Sequence, residues 1–367
     1  MNGILSKIKK IETEVQNEIA NRPSSPLYRQ DIQIPNSSAF IQSQVENLDF
    51  DEKFRIVEEF EGLGPINPLI KDPEVTEIII NGPEDIWFEK DGVLFEHNDH
   101  FVSLNTYENF IHRICTHINQ HINLEFPTAS GNFNGMRVQI IGKALTLDHS
   151  TINFRKYKNM SWTFDLLREN SWAPEFAFPI LKKIINEKQN FLIIGGTGSG
   201  KTSVLSAFLQ EIKDNERCVL LEDTKELLKP NSASQCLYSR NDQQGLLPAV
   251  PLSDLLKATL RLRPDRIIVG EVRGSEAKDL LMALSTGHAG SFGSLHADTA
   301  QQALLRLEML IQQGSPQWSV DSIRTLIFLS IKYLVTVTKD SSGKRKLAEI
   351  HKLSSREQNN ILLEKVF

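Results

Sequence analysis

Phe191-Leu192-Ile193-Ile194 runs directly into Gly195-Gly196-Thr197-Gly198-Ser199-Gly200-Lys201-Thr202-Ser203. The apolar residues suit a short buried strand, and the glycines let backbone N–H groups turn toward a common point. Val204, Leu205, Phe208, Leu209 and Ile212 then return at helical spacing. Strand, glycine-rich loop and helix N-terminus together make a cradle for phosphate. In it the Lys201 ammonium serves the β- and γ-phosphates and the Thr202 hydroxyl is available to Mg²⁺. A flexible glycine turn needs none of this, whereas here every fixed position of G-x-x-x-x-G-K-S/T is filled in strand-to-helix context.

Further chemistry gathers after other apolar runs. Glu222 and Asp223 follow Val219-Leu220-Leu221, and Gly270, Glu271 and Arg273 follow Ile267-Ile268-Val269. Carboxylates at strand ends suit Mg²⁺ or a water, and Glu271 is placed to orient or polarise an attacking water. Gly270 stands where many ATPases carry a metal-binding Asp, so the metal falls to Glu222 or Asp223 through water, and the choice between them is open. His288 and His296 flank a small-residue strand; each alone reads as a hydrogen-bonded structural imidazole, and only the constellation points to γ-phosphate sensing. Arg155-Lys156, judged by spacing alone, are solvated linker charges.

The elements that must position these groups follow from the pattern. Beyond Trp162 strands and helices alternate, which predicts a parallel sheet with strands at 190–194, 218–221, 266–269 and 291–295. Ligands in such sheets bind beyond the carboxyl ends of the strands, so the polar clusters should converge on the Gly195 loop. Residues 48–157 predict an α+β domain: an acidic helix through Phe60, a turn at Gly62-Leu63-Gly64-Pro65, strands at 75–80, 86–89 and 93–95 with a hairpin at Asp91-Gly92, a helix over 105–123, and strands at 135–140 and 147–154. At the start, Ile4, Ile8, Ile11, Val15 and Ile19 make one apolar stripe of a helix, whose partner is either the protein's own body or another protein. Arg22-Pro23-Ser24-Ser25-Pro26 breaks that helix, and a polar linker runs to about residue 47, with a short strand at 31–35 as the exception. The segments are therefore 1–47, 48–157 and an ATPase-type domain over 158–367.

Composition is that of an ordinary globular protein, 40% hydrophobic and 24% charged, and no apolar run reaches the length of a membrane span. A formal net charge of −5 gives no general attraction to nucleic acid. Met1 to Lys10 lead into no signal-peptide core, and Cys115, Cys218 and Cys236 suggest neither a disulfide framework nor a C-x-x-C metal site, so a cytoplasmic home is expected. His112, Cys115, His117 and His121 share one helix but not one face, which argues against a metal site there.

In this order the motifs resemble those of the secretion ATPases of type II and type IV systems. Gly195 to Thr202 resembles their Walker A box, Leu221-Glu222-Asp223-Thr224-Lys225-Glu226-Leu227 the Asp box, Arg261 through Arg273 the atypical Walker B, and Gly287 through Ala297 the His box. Gly62-Leu63-Gly64-Pro65 and Thr76 through Gly82 extend the likeness, closest to the tight-adherence pilus and conjugation branch, from about residue 50 to the end. The resemblance implies a RecA-like P-loop domain behind a smaller α+β domain, a homo-hexamer, ATP with Mg²⁺, and inner-membrane platform proteins as partners at the inner face of the cytoplasmic membrane. It also implies roles: Glu271 as the catalytic Walker B glutamate, Glu222 as the Asp-box acid, His296 as the second His-box histidine, and Arg240 and Arg155 as arginines that approach phosphates, Arg155 closing the two domains on nucleotide. Phe292-Gly293-Ser294 departs from the usual threonine-containing strand, and Ser130 to Asn132 lacks an arginine often found there. No N/T-K-x-D guanine signature follows the cradle, so adenine is favoured; an ATP-dependent scaffold with little turnover is the rival to a hydrolase.

Overall fold

The structure, a computed structural model, describes residues 2–20, 37–90, 92–156, 162–240, 247–340, 343–357 and 360–367. The predicted strand at 31–35, the hairpin residue Asp91 and the junction at 157 lie outside those residues. The chain divides into two units, Met1–Lys158 and Asn159–Phe367.

The first unit runs α1 (Asn2–Ala20), α2 (Ser37–Val45), α3 (Phe50–Glu61), α4 (Asn67–Lys71), β1 (Val75–Ile80), β2 (Ile86–Lys90), β3 (Val93–Glu96), α5 (Leu104–His117), β4 (Thr128–Phe133), β5 (Met136–Ile141) and β6 (Thr151–Lys156). Its strands form one sheet in the order β3-β2-β1-β6-β5-β4, antiparallel throughout. Helix α5 starts at a capping box between Ser103 and Thr106 and lays Phe110, Ile111 and Ile114 on Ile78, Val138 and Phe154 of the sheet. It is shorter than predicted: the chain leaves the helix after His117, and Asn119 takes a positive φ of 54°. The strand predicted from 147 begins only at Thr151, because Leu147 is fully exposed with φ 38°. Burial pushes the Cys115 thiol up to about 11, and the His117 ring packs on Phe133 with centroids 4.5 Å apart.

The apolar stripe of α1 finds its partner within this unit. Ile8 and Ile11 bury against Val45 and Ile56, Lys7 pairs with Glu52, and Ser103 donates to Glu12 at 2.6 Å. The polar linker expected up to residue 47 is corrected here. Residues Ser37–Val45 are helical, and among their described side chains Ile41 and Val45, one turn apart, are buried.

The second unit runs α6 (Phe164–Glu169), α7 (Ala177–Asn186), β7 (Phe191–Gly195), α8 (Lys201–Gln210), β8 (Cys218–Glu222), β9 (Gln235–Tyr238), α9 (Leu252–Thr259), β10 (Arg266–Val272), α10 (Glu276–Ser285), β11 (Phe292–His296), α11 (Ala300–Gly314), α12 (Val320–Ser330), β12 (Tyr333–Lys339), β13 (Arg345–Glu357) and β14 (Asn360–Lys365). The sheet order is β14-β13-β12-β7-β11-β10-β8-β9, parallel from β12 to β9 and antiparallel at β13 and β14. Both faces are covered, which is why the central strands read as unbroken apolar runs. Along β7, Phe191 and Ile193 face the α6–α8 core while Leu192 and Ile194 face the α9–α12 core. Phe191, Phe208 and Phe292 stack across strand and helix, fixing α8 against the sheet. From β7 the chain crosses to β8, leaving β11 and β10 to fill the space between, so the loop after β7 opens where the strand order switches.

Candidate nucleotide site

The predicted cradle forms between β7 and α8. Gly198 and Gly200 hold φ values of 71° and 92°, a left-handed backbone that glycine adopts without a Cβ penalty. A β-carbon at Gly200 would stand 2.9 Å from Arg345 Cδ, so that side chain would have to shift to admit one. The Lys201 ammonium folds back over the loop and donates to the carbonyls of Gly195 and Gly196, each at 2.9 Å. Burial holds it below the usual lysine range, while the Glu271 and Asp298 carboxylates act in the opposite sense. Ser199 Oγ closes the turn onto Gly196 O at 2.8 Å, and Thr202 and Ser203 lie half-buried in the first turn of α8.

Glu271 reaches this cradle through a defect in the sheet. The register of β10 with β11 passes from Val269↔Gly293 to Val272↔Leu295, so β10 carries one extra residue at Gly270-Glu271. A bulge of this kind re-aims a side chain at a strand end. Ser294 Oγ donates to Gly270 O at 2.6 Å and pins the bulge, a role for the serine in the unusual Phe292-Gly293-Ser294 strand. Glu271 in turn accepts from Arg273 Nη2 at 2.5 Å, and Arg273 also pairs with Asp223 at 3.8 Å; together these carboxylates hold the guanidinium firmly charged.

His296 ends β11 as the direct register partner of Gly195, so the structure brings it to the loop. His288 does not share that place: its Nδ1 bonds Ala283 O at 3.1 Å at the end of α10. Glu222 is 3% exposed and ends β8, three strands from β7 or about 14 Å at ~4.8 Å per strand. Its Oε1 accepts the Glu226 and Leu227 amides at 3.0 Å, its Oε2 has no partner, and burial raises its carboxyl to about 7. Asp223 accepts from Ser239 Oγ at 2.6 Å. Of the proposed metal-binding residues only Thr202 belongs to the loop, and Oε2 of Glu222 is buried without a hydrogen-bond partner.

The two predicted arginines lie on other elements. Arg240 follows β9 at the far edge of the sheet, bridged to Val250 through both backbones and bonded by Nε to Pro248 O at 3.0 Å. Arg155 belongs to β6 of the first unit, where it pairs with Glu77 at 2.5 Å.

Sequence reasoning missed two residues at the loop. Asp298, just past His296, puts Oδ1 2.9 Å from where a β-carbon on Gly196 would be. Arg345, at the start of β13, donates from Nε to Gly198 O at 3.1 Å. The Asp298 signal was its position within the segment that follows the His296 strand; Arg345 is brought in from far along the chain and left no local signal.

A switch-point glycine loop closed by lysine and threonine, with a carboxylate two strands away on β10, defines a P-loop protein of RecA-like fold. Within that class the chain belongs to the family described as Type II/IV secretion system protein, which it matches over residues 59–328. It is 28% identical to the type IV secretion system protein VirB11 of Bartonella henselae over 79% of this chain and 91% of that one. It is 33% identical to the conjugal transfer protein TrbB of Rhizobium radiobacter over 62% of this chain and 66% of that one. The crystal structure of the pilus retraction motor PilT with bound ADP shares the fold, with a TM-score of 0.56 and 19% identity over 77% of this chain and 80% of that one. Among the described residues no helix is long and apolar enough to cross a membrane.

Proposed function

We propose that this chain is an ATP hydrolase that works as a homo-hexamer at the inner face of the cytoplasmic membrane, driving a pilus, secretion or conjugation apparatus through inner-membrane platform proteins. The observation that carries the reading is the Lys201 ammonium folded over a positive-φ glycine loop with the Glu271 carboxylate turned toward it by a pinned bulge. In the proposed site Lys201 leaves the Gly195 and Gly196 carbonyls for the β- and γ-phosphates, the α8 N-terminus faces the phosphate charge, Glu271 accepts a proton from the attacking water, and His296 contacts the terminal phosphate. Thr202 would hold Mg²⁺, with Glu222 and Asp223 acting through water; the ion would neutralise charge on the phosphates. Arg155 and Arg240 remain proposed phosphate contacts that rest on the family likeness.

One observation favours a second reading, an ATP-binding scaffold with little turnover: the Arg273 guanidinium occupies one oxygen of the Glu271 carboxylate. Calorimetric titration of ATP with Mg²⁺, alongside light scattering of the particle mass, tests the proposal. Lys201→Ala should remain folded and lose ATP binding, because it removes the mobile charge at the β- and γ-phosphates. Parental affinity in that variant refutes the cradle.

A further inference from the structure

Asp298 puts an acid at the end of the loop where a terminal phosphate has to arrive. It comes two residues past His296, the last residue of β11 and the register partner of Gly195. Its Oδ1 stands 2.9 Å from where a β-carbon on Gly196 would be. The carbonyls of Gly195 and Gly196 hold the Lys201 ammonium, so acid and ammonium meet at Gly196, toward the γ-phosphate end of the loop. The backbone there is anchored. The Asp298 N–H donates to Gln302 Oε1 at 3.1 Å, and the Gln302 N–H donates to Thr299 Oγ1 at 3.2 Å, at the start of α11.

The carboxylate itself is unengaged. Among the described residues no N–H or O–H donates to it and no cation pairs with it at contact distance. The other acids of the site are taken: Glu271 holds Arg273, Asp223 accepts from Ser239 Oγ, and Glu222 accepts two amides. Glu271 and Asp298 act on Lys201 in one sense, and Arg273 and Arg306, the latter two turns along α11, act in the other. With Glu271 paired to Arg273, the negative charge left free at Gly196 is that of Asp298. A group that only gripped phosphate would be a cation or an N–H donor. A carboxylate does the reverse: it repels a phosphate within a few ångströms, and salt screens that repulsion because the side chain is exposed. The penalty falls on the γ-phosphate of ATP and much less on ADP, which ends one phosphate short of it.

We propose that Asp298 sets the balance between nucleoside triphosphate and diphosphate by repelling the terminal phosphate, an inference that rests on the nucleotide reading of the loop. Without this charge the loop would favour ATP over ADP more strongly. The test is calorimetric titration of the full chain with ATP, ADP and tripolyphosphate in Mg²⁺-free buffer, at low salt and at about 1 M salt, where screening acts beyond ~3 Å. Asp298→Asn removes the charge at nearly constant shape. It should bind ATP and tripolyphosphate about tenfold more tightly than the parent, with ADP changing less than about threefold. The gain for ATP should shrink in high salt, and Asp298→Glu, which keeps the charge, should keep the parental ratio of ATP to ADP affinity. A side chain that only shaped the loop would show neither the salt dependence nor the return with glutamate. Equal gains for ATP and ADP, unchanged affinities, or weaker ATP binding in the Asn variant each overturn the proposal and leave the phosphate cradle standing. If neither protein binds ATP, with or without Mg²⁺, the nucleotide reading fails first and this inference with it.

Discussion

Arg273 donates to Glu271 at 2.5 Å, so the carboxylate proposed as the base is held by a cation two residues further on, just past the end of β10. The pair fixes one oxygen of Glu271 and leaves the other for water. Arg273→Ala should therefore lower kcat about tenfold through loss of orientation, with KM for ATP changing less, because the arginine acts on the base and not on the loop. Steady-state phosphate release over a range of ATP concentrations measures both; a change confined to KM contradicts a positioning role.

Glu222 makes a pH prediction of definite sign. Its carboxyl titrates at about 7 in the fold, raised by desolvation, against about 4.3 in an unfolded chain. Between those values the folded state keeps a proton that the unfolded state has lost, so stability falls as pH rises through that window and this group adds no further change above it. Glu222→Gln keeps an acceptor for the Glu226 and Leu227 amides and cannot ionise. From about pH 4.5 to pH 8 the parent should lose up to ~3 kcal/mol relative to the variant. Urea unfolding at a series of pH values checks this; parallel curves for the two proteins contradict it.

The central strands were legible because burial on both faces leaves an unbroken apolar run that ends abruptly in a polar cluster, as at Ile194 before Gly195 and Val269 before Gly270. The loop was legible because its chemistry is local in sequence. Helix α2 was not, since its apolar residues are too few to set a clear period and only Ile41 and Val45 of its described side chains are buried. The antiparallel edge gives a weaker signal, because the buried residues of β13 are scattered along the strand and β14 has none. Arg345 illustrates the remaining limit: it meets Gly198 across 147 residues of sequence, and only the pairing of β12 with β7 and β13 brings it there.

Arg155 separates a nucleotide role from a folding role unusually well. Its side chain is 60% exposed and its pair with Glu77 is therefore worth no more than ~1 kcal/mol. Arg155→Ala should fold as the parent does. Its ATP affinity should drop about tenfold, the loss of a charge-assisted contact to phosphate. Unchanged affinity by calorimetry returns Arg155 to an ordinary surface charge.

The central claim is that the Gly195 loop binds ATP and Glu271 drives its hydrolysis, and the most direct measurement is single-turnover phosphate release by the parent and Glu271→Gln, each loaded with ATP and Mg²⁺ under conditions that favour the multimer. The substitution keeps the size and the bond to Arg273 but removes the proton acceptor, so ATP should stay bound while release slows by about a hundredfold or more. Release at the parental rate from the Gln variant, or no release from the parent, would contradict the account.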